Sequence, residues 1–155
     1  MKDTWIWWSL VSQAVLLTYC QIIEWVDLFP WNNIRGGNGQ ETLDFIVGGV
    51  VVLFIVAAAL RLWRVMFLGA VVYTIWLGLE IDSWWIAYLK GASPSWKAVY
   101  QRNFADTVKF LPTRGGHLAP DAAHVFLQLL IVIAMVTTIA AAFRIRSQRI
   151  ARATN

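Results

Sequence analysis

Four long apolar runs, separated by short polar or turn-rich stretches, dominate the chain. The first extends from about Trp5 to Val26, is dotted with Ser9, Ser12, Gln13, Thr18 and Gln21, and closes at Glu24 and Asp27. Pro30, Asn32-Asn33 and Gly36-Gly37-Asn38-Gly39 then break any helix. The second run, about Leu43 to Leu62, mixes Val and Ile with Gly48-Gly49 and Ala57-Ala58-Ala59. Thr42 suits its N-cap, and Asp44 its first turn, where the helix dipole favours an anion. Small residues let membrane helices approach closely, so this helix is expected to be the most buried. Arg61-Leu62-Trp63-Arg64 is a minimal connection and forces an antiparallel hairpin into the third run, Val65 to about Leu89. At 1.5 Å per residue that run is about 37 Å long. The fourth, opened by Pro120 and Asp121, stays apolar to Phe143 apart from Gln128, Thr137 and Thr138.

Between runs three and four, residues 95–111 show a different period. Trp96, Val99, Tyr100, Phe104, Val108, Phe110 and Leu111 fall on one side of a helix, and Lys97, Gln101, Arg102 and Lys109 mostly on the other. Ser93 or Ser95 can cap it, Pro94 suits its first turn and Pro112 ends it. The pattern predicts an amphipathic helix in the membrane interface; a helix docked on the bundle is the competing placement.

Each apolar run is long enough to cross a bilayer, which takes about 20 residues. The expected fold is therefore all-α: an antiparallel bundle of four transmembrane helices (about 5–26, 43–62, 65–89 and 120–143) with an interfacial helix between spans three and four. Composition agrees. Of 155 residues, 59% are hydrophobic and 14% charged, against about a quarter charged in soluble domains. The chain is also rich in tryptophan, and nine of its ten Trp fall near expected span ends, as in an aromatic belt. The first run is expected to be a retained span: Asp3 offsets Lys2, and no small-residue cleavage site follows. Cys20, the only cysteine, excludes an internal disulfide, a CxxC pair and a multi-cysteine metal site; it reads as a small apolar core residue.

With four spans both termini share a face. That face carries Lys2, Arg61, Arg64, Arg144, Arg146, Arg149 and Arg152, most of them directly at span ends. The other face carries Arg35, Lys90, Lys97, Arg102, Lys109 and Arg114 in longer loops, together with every acidic residue except Asp3. Basic density beside span ends puts both termini in the cytoplasm, of a bacterial inner membrane by expectation. The tail 144–155, with Arg144, Arg146, Arg149 and Arg152, suits contact with anionic lipid head groups. No soluble module carries the positive charge, so nucleic acid is not an expected partner; the bilayer and other membrane subunits, or further copies of the chain, are.

The chemistry concentrates at the outer ends of the spans. Glu24 ends the first, Asp44 begins the second, Glu80 lies near the end of the third and His124 one turn into the fourth, so each helix offers a proton-exchanging side chain to one layer. Asp121, His124 and Gln128 share a face at i, i+3 and i+7, as do Glu80 and Trp84 at i, i+4. Glu80 and Asp82 lie about 200° apart and cannot share one. Three readings of this layer compete. The carboxylates are solvated or paired with Arg35, Arg102 or Arg114; or His124 with Glu80, Asp121, Glu24 or Asp44 holds a metal or redox cofactor, as in other helix bundles; or Glu80 titrates beside a small-molecule site lined by Trp76, Trp84 and Trp85. A metal ion, or a lipid- or quinone-like molecule, is the kind of occupant such a layer would take. No nucleophile elbow, phosphate-cradling glycine loop or pair of Glu-x-x-His motifs is present. The favoured function is thus a non-catalytic accessory or scaffold subunit of a larger membrane assembly, energy-transducing assemblies included, or a homo-oligomer. The alternative is a small transporter or cofactor-binding membrane enzyme working at Glu80 and His124.

Overall fold

In the computed structural model, which describes residues 3–34, 41–113, 115 and 117–154 (backbone alone over 41–44), each apolar run is a helix. They are α1 (Thr4–Trp25), α2 (Glu41–Ala59), α3 (Trp63–Lys90) and, after the amphipathic α4 (Pro94–Asn103), α5 (Ala122–Ala153). Helices α1, α3 and α5 are long and apolar enough to cross a membrane; α2 adds a shorter apolar stretch, Phe45–Ala59. Apolar side chains such as Phe45, Leu68, Ile75 and Leu79 are exposed along the sides of the bundle, which suits contact with lipid.

Helix α5 packs against α1 and α3, and α2 packs against the same two from the other side; α2 and α5 meet only weakly across the diagonal. The most buried side chains therefore belong to α5 and α1, not to α2, whose outward face (Phe45, Ile46, Val52, Leu53, Val56) is exposed. The small residues of α2 do what small residues do. Ala57 and Ala58 are buried against Ile6, Met66, Ala141 and Ile145, while Gly69 of α3 lets the Phe54 ring of α2 come within 3.0 Å of where a Cβ would stand. Thr42 lies inside α2 and so does not cap it. Cys20 is buried in the central core with Leu16, Phe54, Tyr73 and Ile131.

A polar cluster crosses the middle of this apolar core. Gln13 Nε2 donates to the Ser9 carbonyl and hydroxyl (3.0 and 2.9 Å), Tyr73 donates to Gln13 Oε1 (3.0 Å), and Ser9 and Thr138 share a hydrogen bond of 3.2 Å. Ser9, Gln13, Tyr73 and Thr138 are all fully buried. Polar groups in such surroundings need internal partners, so the cluster ties α1, α3 and α5 in one register.

Two elements differ from the sequence expectation. The amphipathic helix stops at Asn103 instead of Leu111, and the next residues form turns tied to α5, with Val108 N–H donating to Pro30 O and Ala122 N–H to Val108 O. Lys109 explains the stop. Its ammonium donates to the carbonyls of Phe104, Ala105 and Thr107 (2.6–2.7 Å), taking the place that helical N–H groups would fill; burial draws its pKa below the usual lysine value, against the pull of Asp121 and Asp106. Nor does a separate tail follow the fourth apolar run. Helix α5 continues unbroken through Arg144, Arg146, Arg149 and Arg152, all exposed, for 32 residues or about 48 Å. At that end Arg61, the turn residue between α2 and α3 with φ of 56°, pairs with Asp3 at 2.6 Å, and Gln148 donates to the same carboxylate.

Candidate functional site

At the loop end, α3 changes its winding. Residues Ile81–Ile86 form a π-helical segment, whose wider turn re-aims the side chains beyond Glu80. Trp84 swings inward and is 3% exposed, Trp85 donates from Nε1 to Gln128 Oε1 at 2.7 Å, and Asp82 stays exposed. Helix α4 docks on this end of the bundle through Trp96 and Tyr100, which pack on Trp84. Ser93 caps it by accepting from Trp96 N–H, and buried Tyr100 donates to the Ala119 carbonyl at 2.8 Å, with its pKa pushed up to about 12 by burial. Trp84 forms the centre of an aromatic cluster, edge-on to Trp96 and Phe104 (5.4 and 5.1 Å) and tilted by 33° against the His124 ring at 4.3 Å.

Asp121 N-caps α5 and is 1% exposed. Its Oδ1 accepts from the His124 N–H (2.8 Å) and lies 2.7 Å from His124 Nδ1, and Thr107 donates to Oδ2 at 3.3 Å. A carboxylate only accepts, so Nδ1 carries the proton and Nε2 remains as the acceptor of the neutral ring. The sequence spacing placed Asp121 and His124 on one helical face; in the fold the pair acts as cap and positioning contact together.

Beside this dyad lies a cavity of about 310 Å³. Glu24 of α1, Glu80 and Trp84 of α3, Asn103 of α4 and Asp121 and His124 of α5 all line it. Glu80 lies next to His124, with the side chains of Gln128 and Trp76 as its neighbouring donors, while Asn103 Oδ1 and Trp96 Nε1 are buried without a hydrogen-bond partner among the described residues. Of the residues singled out in the sequence, Glu24, Glu80, Trp84, Asp121 and His124 thus share one cavity, and Gln128 adjoins Glu80. The Asp44 side chain lies outside the described residues, as do Arg35 and Arg114. Sequence reasoning missed Asn103, Phe104 and Asn32. Asn32 donates to Ile23 O in the last turn of α1 and to Val26 O just past its end, and holds the Asp27–Ile34 loop against the cavity; its only sequence signal was the asparagine pair that read as a turn.

The arrangement can bind a polar molecule and exchange a proton with it through Glu80 or the imidazole. Among the described residues no three His, Cys, Asp or Glu side chains come together as metal ligands. Comparison with family models, with characterised proteins and with solved structures yields no match. What the fold and the site define is an all-helical membrane protein with an acidic, aromatic cavity at its loop end.

Proposed function

We propose that this chain is a small integral membrane protein that crosses the bilayer four times, binds a small polar molecule in the loop-end cavity and exchanges a proton with it, as a transporter or membrane ligand-binding protein does. What carries the reading is the convergence of Glu24, Glu80 and the Asp121–His124 pair, from three helices, on one cavity. Carboxylates and imidazoles gathered in a partly dry pocket are the usual equipment for ligand and proton handling inside membranes. The fourth crossing is α2, whose 19 residues span about 28 Å, close to the thickness of the hydrocarbon core. Orientation follows the basic residues at the terminal end, with both termini cytoplasmic and the cavity facing the other side; reporter fusions at the C-terminus and in the loop before α4 should read opposite compartments.

Native mass spectrometry of the protein purified in mild detergent tests the binding role. The expected result is a stoichiometric small-molecule adduct that Glu80→Gln loses. A chain that carries no adduct and co-purifies in fixed ratio with other subunits would instead establish the accessory-subunit reading. That reading drew on the small-residue face of α2, but Ala57 and Ala58 are already used inside this bundle.

A further inference from the structure

We infer that the terminal end of the bundle carries a defined site for one anionic phospholipid, in the seam between α3 and α5, with its phosphate on Arg64 and Arg146. The inference is independent of the cavity and needs only that the helices lie in a bilayer. Trp63 organises the site. The Arg64 guanidinium stands over its ring with Cζ 5.2 Å from the centroid, and Arg146 reaches the same ring from α5 at 5.7 Å. A ring face attracts a cation at such distances, and here it gathers two. Like charges brought to one ring repel each other, so the arrangement favours an anion that both can share. No carboxylate of the chain fills that role. Asp3 is the acidic residue of this end, and it is already taken by Arg61 at 2.6 Å and by Gln148 at 2.8 Å. Among the described residues neither Arg64 nor Arg146 forms an ion pair, and both are exposed.

Guanidinium forks match phosphate oxygens bidentately, and phosphate is the anion a bilayer presents at the depth where α3 begins. What lies below the charges makes the occupant a lipid and not a soluble phosphate. Phe67 follows Trp63 by four residues and Phe143 precedes Arg146 by three, so both rings sit about 4–6 Å deeper toward the bilayer centre. The three rings meet edge to face, Trp63 with Phe67 at 6.0 Å and Phe67 with Phe143 at 4.9 Å, and Phe143 is 51% exposed. Cations above an exposed aromatic strip serve a head group and its acyl chain together. Arg152 differs: one and a half turns past Arg146, about 9 Å further along α5, it stands clear of the strip. The site is thus narrower than the general attraction of a basic helix end for anionic lipid, because it draws Arg64 and Trp63 from a second helix.

Native mass spectrometry of the full chain in mild detergent tests this, with dioleoyl phosphatidylglycerol, dioleoyl phosphatidylcholine and glycerol phosphate as probes. One phosphatidylglycerol should stay bound in preference to phosphatidylcholine, and glycerol phosphate should not be retained. Arg64→Gln and Arg146→Gln should each weaken phosphatidylglycerol about fivefold, the equivalent of about 1 kcal/mol per arginine at a lipid surface. Arg152→Gln and the cavity variant Glu80→Gln should leave it unchanged. The ranking of probes on the unmodified protein needs no variant, so it stands even where a variant fails to fold. Equal retention of the two phospholipids overturns the anionic site, and retention of glycerol phosphate as tight as that of phosphatidylglycerol overturns the lipid. A loss at Arg152→Gln as large as that at Arg64→Gln leaves only diffuse attraction to the basic end and overturns the site as well. Loss of phosphatidylglycerol in Glu80→Gln would place the lipid in the cavity and overturn the seam. A smaller adduct lost in that variant while phosphatidylglycerol stays supports both the cavity reading and this one.

Discussion

Asp121 is where fold and site meet, and two substitutions separate its roles. Its carboxylate caps α5 by accepting from the His124 N–H at 2.8 Å, and it holds the imidazole through Nδ1 at 2.7 Å. Asparagine is about as good an N-cap as aspartate, and its carbonyl oxygen can still accept from both nitrogens. Asp121→Asn therefore changes a charge-assisted hydrogen bond into a neutral one. Since the former contributes about 1.5–3 kcal/mol and the latter about 0.5–1.5, the expected loss is about 1–1.5 kcal/mol. Asp121→Ala removes the whole charge-assisted bond and the cap, which is worth about 1 kcal/mol, and should cost about 2.5–4 kcal/mol in total. The gap of about 2 kcal/mol between the variants is the quantity to measure, by equilibrium unfolding in mixed micelles with increasing SDS, followed by far-UV circular dichroism. Two variants within about 0.5 kcal/mol of each other would refute the division into cap and positioning contact. A loss below that size in both would show that this buried carboxylate supports neither.

Tyr73→Phe leaves Gln13 Oε1 without its donor in the middle of the bundle and should cost about 1 kcal/mol in the same assay, within the range for interhelical hydrogen bonds in membranes; an unchanged midpoint would mean the cluster does not fix helix register. Gly69→Leu drives a side chain into the Phe54 ring, itself 2% exposed and packed edge-on to Tyr73, so a destabilisation of about 1–3 kcal/mol is expected, and a variant as stable as the parent rejects the close approach of α2 and α3. At the terminal end, the hydrogen bond from Gln148 and the nearby Arg61 hold the Asp3 carboxyl below the usual carboxylate range. A folded-state pKa below the unfolded one gives stability that is present above the unfolded value and lost as pH falls through the folded one. Asp3→Asn should therefore narrow the difference in thermal unfolding between pH 7 and pH 3, and an unchanged difference would show that the contact contributes nothing.

Span-length apolar runs were legible in the sequence because the requirement is local: a backbone in hydrocarbon must satisfy its own hydrogen bonds, and only continuous apolar helices do so. The chain alone thus determined the apolar helices, the tight connection at Arg61 and a serine cap for α4 at Ser93 or Ser95, and it put Asp121 at the opening of the last helix without showing that its side chain caps it. It also located the acidic layer, since depth along a helix is a matter of counting residues. Rotation about the axis is not. A regular helix puts Glu80 and Trp84 on one face but says nothing of the π segment at Ile81–Ile86, which turns Trp84 onto His124 and Trp85 onto Gln128. Periodicity carried α4 on to Leu111, because Val108, Phe110 and Leu111 fit the apolar stripe; the Lys109 ammonium, by occupying three turn carbonyls, ended it at Asn103. The small residues of α2 read as burial, yet buriedness belongs to position in the ring of helices, and α5 with α1 took it. Asn103 had no signal at all. An asparagine on a polar helix face is ordinary until the fold docks that helix over a cavity and leaves its oxygen unmet. Sequence determined which side chains stood at the cavity's depth; only tertiary packing, by choosing rotation and contact partners, decided which of them faced it.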